Sequence, residues 1–466
     1  MTGGLRAARR MRERIAMSAL SKGGEKRVED LSGVRKIFLL ILVSMGSSTI
    51  YAPAYLKGVF YDPLQQALNC TNTELGLLMS AYAITATICY LPSGIIADKV
   101  RMRTLSWVGF VSTAVLVFIY AMLPSFETCM ALFVGMGVTT ILIWWGTRFK
   151  LVRLISTEKE YSAKIGLSYG IYGAAGLVVG MINLAIVSAF ADNAGAGITA
   201  LLMWLGGLIL LLGILSFLFI PKFEGEIKHD AKFNLSEFGH ALKNPVVWLA
   251  SLSMFFVYFY YTGVTYTTPY LSGVMGASLV VVSAVSVIRT YGITLLSGPI
   301  FGWLAKKIDS AAKAIVIGSG LAIVGLFGLI VLPAEAGMAV IAAVIVIILG
   351  FVANGVFGIV SAQLTEGKVP LTIFGAATGI VSVVGFMPDT FSSAWFGAII
   401  DAGQASGDVT GAYHQIFLIL AGAAAIAVAI SIVLKMYVNK NGAKLEEKAR
   451  KAQVEAVSSE SAASER

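Results

Sequence analysis

The sequence predicts an all-α membrane protein, twelve transmembrane helices in two six-helix bundles with both termini cytoplasmic. Three observations predict it. Of 466 residues, 57% are hydrophobic and 13% charged, against roughly 25% charged in a soluble chain. The apolar residues gather into twelve stretches of bilayer length. Lys and Arg fall almost wholly on one side of them. This composition excludes disorder, a coiled coil, a collagen-like fibre and an ordinary soluble enzyme, and the 49 Gly suit membrane helices, which use Gly more than soluble ones do.

The elements follow in chain order. Residues 1–34 form a basic tail containing Arg6, Arg9, Arg10, Arg12 and Arg14. The tail lacks the apolar run of a signal peptide; a solvated tail is the plainer reading, and adsorption to anionic lipid is the other. A spanning helix needs about 20 mostly apolar residues. That ruler predicts spans 1–6 at 35–56, 75–97, 104–123, 128–150, 162–190 and 197–220. A charged insert, 221–244, follows as a linker. Spans 7–12 are predicted at 245–272, 277–305, 311–332, 337–364, 371–399 and 412–437. The domains are therefore a bundle over 35–220, the linker, a bundle over 245–437, and a polar tail over 438–466, read as a solvated helix or disorder.

Cytoplasmic loops carry an excess of Lys and Arg. With the N-terminus inside, Lys57 is the one cation in an outer segment and Arg289 the one deep in a span, while Asp62, Glu74, Glu127, Asp192, Glu335, Asp401 and Asp408 lie outside. The net charge of +9 is thus a topology signal, and nucleic-acid binding is not needed to explain it. Cys70, Cys89 and Cys129 make no disulfide framework. A Cys70–Cys129 bridge is compatible with the topology, and two unrelated thiols is the preferred reading. Three His without paired ligand spacing predict no metal site, and no nucleophile elbow or P-loop predicts an enzyme or cofactor.

A faint repeat joins the halves. GIIADKVRMR runs from Gly94 to Arg103 after span 2, and GWLAKKIDSAAK starts at Gly302 after span 8, an offset of 208 residues. A small-residue helix end entering a basic inner loop suggests close helix packing with charges tying the inner ends. With these motifs the chain resembles the major facilitator superfamily of secondary transporters: Gly94, Asp98, Lys99 and Arg103 match its loop pattern, Met102 stands where the pattern prefers Gly, and Lys306 where an acidic residue is common. STIYAPAYLKGVFYDPLQQAL and LGLLMSAYAITATICYLPSGIIAD resemble the oxalate/formate and monocarboxylate branches. GFMPDTFSSAWFGAIIDAG resembles a branch of bacterial carriers without a known substrate. The resemblance implies alternating access, a midplane site between the halves and a gating network of Gly94, Asp98, Lys99 and Arg103 on the inner face.

A charge at the bilayer centre costs about 2.5 kcal/mol or more, so intramembrane charges are candidate site residues. Arg289 lies about 18 Å into span 8 at 1.5 Å per residue. A guanidinium pairs with a carboxylate through two hydrogen bonds, and the resemblance implies an arginine in this span that holds a substrate carboxylate; a structural ion pair is the alternative. Asp389, at similar depth in span 11, is expected to pair with Arg289 and carry a coupled proton, or to cap a break at Pro388. Lys57 is an outer gate cation or a surface lysine. Arg148 and Lys150 end span 4 as positive-inside anchors, unless the helix continues to about Ile155, which would turn Arg148 towards the cavity. Tyr51 in span 1 and Tyr258 or Tyr261 in span 7 are candidate donors to substrate oxygens, with an aromatic belt as the alternative for their neighbours Tyr260, Tyr266 and Tyr270.

These residues predict a proton-coupled transporter of a small mono- or short dicarboxylate in a bacterial cytoplasmic membrane, acting as a monomer with a small anion, protons and the lipid bilayer as partners and no nucleic acid. An organophosphate/phosphate or carboxylate exchanger is the alternative. It wants facing cations from both bundles, and span 1 supplies none at mid-depth. Drug efflux and a non-transporting sensor rank below.

Overall fold

The computed structural model describes residues 25–227 and 235–464; the tail arginines Arg6 to Arg14 and the middle of the linker lie outside the described residues. Among the described residues, eleven helices are long and apolar enough to span a membrane: Gly33–Ile50, Asn72–Lys99, Met102–Tyr120, Phe126–Leu154, Ala163–Ala189, Ala194–Phe219, Pro245–Gly273, Ala311–Val331, Ala339–Glu366, Thr372–Ser406 and Val409–Lys451. The twelfth, span 8 in chain order, is the pair Leu279–Gly292 and Thr294–Lys307, bent by 44°.

Local chemistry sets the ends. Thr71 and Glu74 form a capping box for span 2, Asn193 caps span 6, Asn244 followed by Pro245 opens span 7, and Ser310 caps span 9, each satisfying amides that the first turn leaves unpaired. Span 1 stops at Ile50, earlier than its composition suggests. Pro53 lacks a donor and clashes with the preceding turn, so the chain continues through a 3-10 turn, Leu56–Gly58, to a short helix, Tyr61–Leu68. Span 4 runs on to Leu154, span 11 to Ser406, and the last helix to Ser464. The described part of the C-terminal tail is thus helical.

Spans 1–6 pack among themselves, as do spans 7–12; spans 2 and 11 on one flank and 5 and 8 on the other make the main contacts between the halves. A ladder of glycines shows how those contacts change along the helices. At the end away from the linker, a Cβ on Gly76 would meet the Ser393 carbonyl oxygen at 2.2 Å, and one on Gly397 the Asn72 carbonyl oxygen at 2.2 Å. These are backbone-to-backbone approaches that only Gly permits. Further along, Gly379 still faces Leu91 at 3.2 Å, but a Cβ on Gly94 or Gly375 would meet nothing within 4 Å. The other flank repeats the pattern. Gly180, Gly176 and Gly173 of span 5 pack on Val287, Tyr291 and Leu295 of span 8, whereas Gly170, Gly166, Gly298 and Gly302 face open space. The halves therefore form a V that opens at the linker end. Gly94 and Gly302, expected from the repeat to be packing positions, lie on the splayed part; the close approaches are made instead at Gly76 and Gly397.

Candidate functional site

Span 8 carries a π-helical turn, Ile288–Gly292, a local widening frequent at functional sites, and Arg289 sits in it. Its side chain is 4% exposed. One terminal nitrogen donates to the Val264 carbonyl (3.2 Å), Thr267 Oγ1 (3.0 Å) and Thr268 Oγ1 (3.0 Å). The other donates to the carbonyl of Gly58 (2.5 Å), which belongs to the opposite half. Gly350 of span 10 makes room for the stem, since a Cβ there would stand 2.3 Å from Arg289 Cγ. Every hydrogen-bond acceptor around this guanidinium is neutral.

Asp389 lies in a 3-10 turn, Met387–Thr390, that breaks span 11 beside Pro388, and is 5% exposed. Tyr258 donates to its carboxylate at 2.7 Å and Tyr55, from the other half, at 3.4 Å. The expected Arg289–Asp389 ion pair is not formed. Span 11 ends at Ser406 and not near 399, so Asp389 is about 25 Å from that end, whereas Arg289 is about 15 Å from Leu279, on a rise of 1.5 Å per residue. Lys57 is 8% exposed, which removes the surface-lysine reading. The break in span 1 folds it inward, where Nζ donates to the Tyr266 hydroxyl at 3.3 Å and lies 5.2 Å from the ring centroid.

Arg148 is the larger correction. Because span 4 continues to Leu154, its side chain is 5% exposed and is no surface anchor. Its guanidinium lies 4.7 Å from the Tyr169 ring, 5.3 Å from Tyr172 and 5.4 Å from Phe149, and no hydrogen-bond or ion-pair acceptor contacts it among the described residues. Lys150, two residues on, is a true anchor: it pairs with Asp98 at 2.9 Å and donates to the Ala97 carbonyl at 2.7 Å and to that of Glu226.

Aromatic rings from both halves connect these charges. Tyr51 donates to the Thr140 carbonyl at 3.5 Å and Tyr82 pairs with Thr140 Oγ1 at 2.8 Å. Tyr90 meets Trp145 and, across the halves, Phe386, each at 5.3 Å. Tyr261 stacks on Phe357 at 4.6 Å, and Tyr258 contacts Phe386 at 4.8 Å. Of these, Tyr82, Tyr90, Tyr169 and Tyr172 escaped the sequence reading. Tyr169 and Tyr172 carried a usable signal, their i, i+3 spacing on one helix face. Asn354, bonded to Ser297 (2.9 Å) and Thr294 (3.1 Å), was legible as a polar residue inside a span.

The narrow end of the V is latched. Asp401 of span 11 accepts from the Asn72 amide (3.0 Å), Asn72 Nδ2 (2.7 Å), the Thr73 amide (2.8 Å) and Thr73 Oγ1 (2.5 Å) at the start of span 2. A carboxylate suits a helix N-terminus. Ser272 donates to Asp62 at 2.5 Å, a second bond between the halves. At the linker end the ion pairs among the described residues each stay within one half and the segments joined to it, Lys435 with Glu366 (2.7 Å) in the second half and the following pairs in the first. Arg101 pairs with Glu25 (2.7 Å) and Glu226 (2.8 Å), Arg103 donates to the Ile220 carbonyl at 2.6 Å, and Lys26 bridges to Phe223. Arg27 holds the Glu224 carboxyl below its usual range through their hydrogen bond. Lys99 and Gly94 are exposed. Asp98, Lys99, Arg103 and Gly94 thus make no bridge to the second half among the described residues. Cys70, Cys89 and Cys129 are all free thiols.

Comparison with known proteins fits this architecture. Residues 37–393 match the family model described as Major Facilitator Superfamily. The chain is similar to the Escherichia coli K12 inner membrane proteins YqcE, at 27% identity over 77% of this chain and 85% of that one, and YihN, at 25% over 79% and 88%. Among solved structures it resembles a bacterial homologue of the human lysosomal transporter Spinster in an inward-facing, unoccupied conformation, with a TM-score of 0.68 and 16% identity over 88% of this chain and 99% of that one. It also resembles the nucleoside transporter NupG, with a TM-score of 0.64 and 15% identity over 86% and 99%. The chain is a multi-pass membrane protein with a transporter fold and belongs to the Major Facilitator Superfamily.

Proposed function

We propose that the protein is a secondary active transporter that carries a small organic anion, a mono- or short dicarboxylate, across the bacterial cytoplasmic membrane by alternating access, with a proton coupled through Asp389. The observation that carries this reading is Arg289, a buried guanidinium with only neutral acceptors. A charge in a dry site is costly unless it is paired, and a substrate carboxylate is the group that completes this one. Displacing the Gly58 carbonyl exchanges a neutral contact for a charge-assisted, bidentate one. Lys57 and Arg148 add positive charge to the same interior, with Asp389 as the one buried carboxylate beside them among the described residues, so the balance favours an anion.

Asp389 supports proton coupling. Its hydrogen-bond donors are Tyr258 and Thr262 from its own half and Tyr55 from the other, so one of them is present only while the halves hold this arrangement. With the linker cytoplasmic, as the distribution of Lys and Arg predicts, the V is the inward-open state. Exchange of carboxylates or phosphate esters is the second reading. Arg148 favours it by supplying, from span 4, the first-half cation that span 1 lacks.

The test is uptake of labelled lactate and succinate into proteoliposomes with and without an inward proton gradient. Gradient-driven uptake that Arg289→Gln abolishes is expected. Uptake indifferent to the gradient but dependent on internal anion selects exchange, and equal uptake by wild type and variant removes Arg289 from the site.

A further inference from the structure

We propose that Arg148 is a second anion-binding station, separate from Arg289 and nearer the linker-end mouth, where a small carboxylate docks while the V is open on that side. This rests on the anion reading above and adds a place and an order to it.

Three observations meet at Arg148. The side chain is 5% exposed, yet its guanidinium has no acceptor among the described residues, whereas Lys150 on the same helix has three. Second, its protein contacts are ring faces, Tyr169 and Tyr172 of span 5 and the adjacent Phe149. Cation–π contact engages the guanidinium's charge and takes up none of its five N–H donors, which form the fork that a carboxylate matches. The rings therefore hold the group in place and leave its hydrogen-bonding edge unspent. Third, the neighbouring space is open: Tyr169 is 49% exposed, and Gly166 and Gly170 beside it face nothing within 4 Å.

The two arginines sit at different depths. Arg289 is ten residues from Leu279 at the latched end, and Arg148 six residues from Leu154 at the open end, about 15 Å and about 9 Å from opposite ends at 1.5 Å per residue. A small dicarboxylate entering from the linker side therefore meets Arg148 before Arg289. Arg289 is engaged by protein acceptors and Arg148 by ring faces alone among the described residues, and its place nearer the open end makes Arg148 the first contact from the linker side and the last contact on departure to it.

The experiment is equilibrium binding of 14C-succinate to the full-length protein in lipid nanodiscs at low salt, with unlabelled succinamide as the uncharged competitor. The expected result is binding that succinamide does not displace, that Arg148→Gln weakens at least tenfold, and that Arg148→Lys, which keeps the charge and loses the fork, weakens less. Thermal unfolding of each variant checks that the protein is folded. No wild-type binding, equal binding by folded Arg148→Gln, or displacement by succinamide overturns the station. Transport separates the two readings. Arg148-dependent binding in a protein that moves no label keeps the station and removes the transporter reading; uptake that needs Arg289 and ignores Arg148 does the reverse.

Discussion

Tyr258 donates its hydroxyl to the Asp389 carboxylate at 2.7 Å, and Tyr55 from the opposite half approaches the same oxygen at 3.4 Å. The carboxylate is thus a joint between the halves as well as a buried acid. Rocking the halves apart would withdraw Tyr55 and leave Asp389 with one hydrogen-bond donor fewer.

Asp389→Asn is expected to uncouple the carrier. The amide keeps the shape and accepts from Tyr258 but carries no titrating proton. Proteoliposomes should lose gradient-driven accumulation while equilibrium exchange of label survives; accumulation at the wild-type level would place proton coupling elsewhere.

Asp401→Ala is expected to loosen the latched end. Four donors at the start of span 2 lose their acceptor together, and an unsatisfied buried donor costs about 1–3 kcal/mol. The population shifts towards a state open at that end, so a cysteine placed at Thr73 should react several-fold faster with an impermeant thiol reagent. Gly76→Leu should do the same more strongly, because its side chain has nowhere to go but into the Ser393 backbone.

Gly350→Ala is expected to damage the Arg289 site without touching its charge. The added methyl overlaps Arg289 Cγ and pushes the guanidinium off Thr267, Thr268 and Gly58. The half-saturation concentration for uptake should rise tenfold or more, with a fall in the melting temperature as the overpacked guanidinium loses its acceptors.

Glu226→Gln is expected to lower thermal stability more than Glu224→Gln. Glu226 is buried and accepts from Arg101 and from the Met102 amide at 3.2 Å, whereas the Arg27–Glu224 pair is exposed on both sides. Buried charge pairs that lose one partner cost several kcal/mol and exposed pairs little. Melting curves in detergent decide it.

The helices were legible because apolar length is a strong signal, and Arg289 because a lone cation in an apolar run has few innocent explanations. The tertiary partners were not legible. Asp401 and Gln404 made the end of span 11 read as a loop, although their polar groups face the start of span 2; that error of one to two turns set Asp389 level with Arg289 and suggested a pair. Lys57 read as an outer cation because nothing in YAPAYLKG says which way the chain turns after Pro53. For Gly94, the repeat marked a small residue but not its neighbour, and packing depends on the neighbour. Arg148 turned on where span 4 ends, a boundary that composition blurs when an amphipathic turn follows an apolar one.

The glycine ladder also has a consequence for the lipid. A molecule joined at Gly76 and Gly397 and splayed at Gly94 and Gly375 is a wedge, and it takes more area from one leaflet than from the other. In the alternating-access cycle proposed above, switching which end is open would move that excess area to the opposite leaflet. Part of the work of such a cycle would then be done against lateral pressure in the bilayer, and lipids that crowd one leaflet would bias the resting state of the protein without entering its cavity.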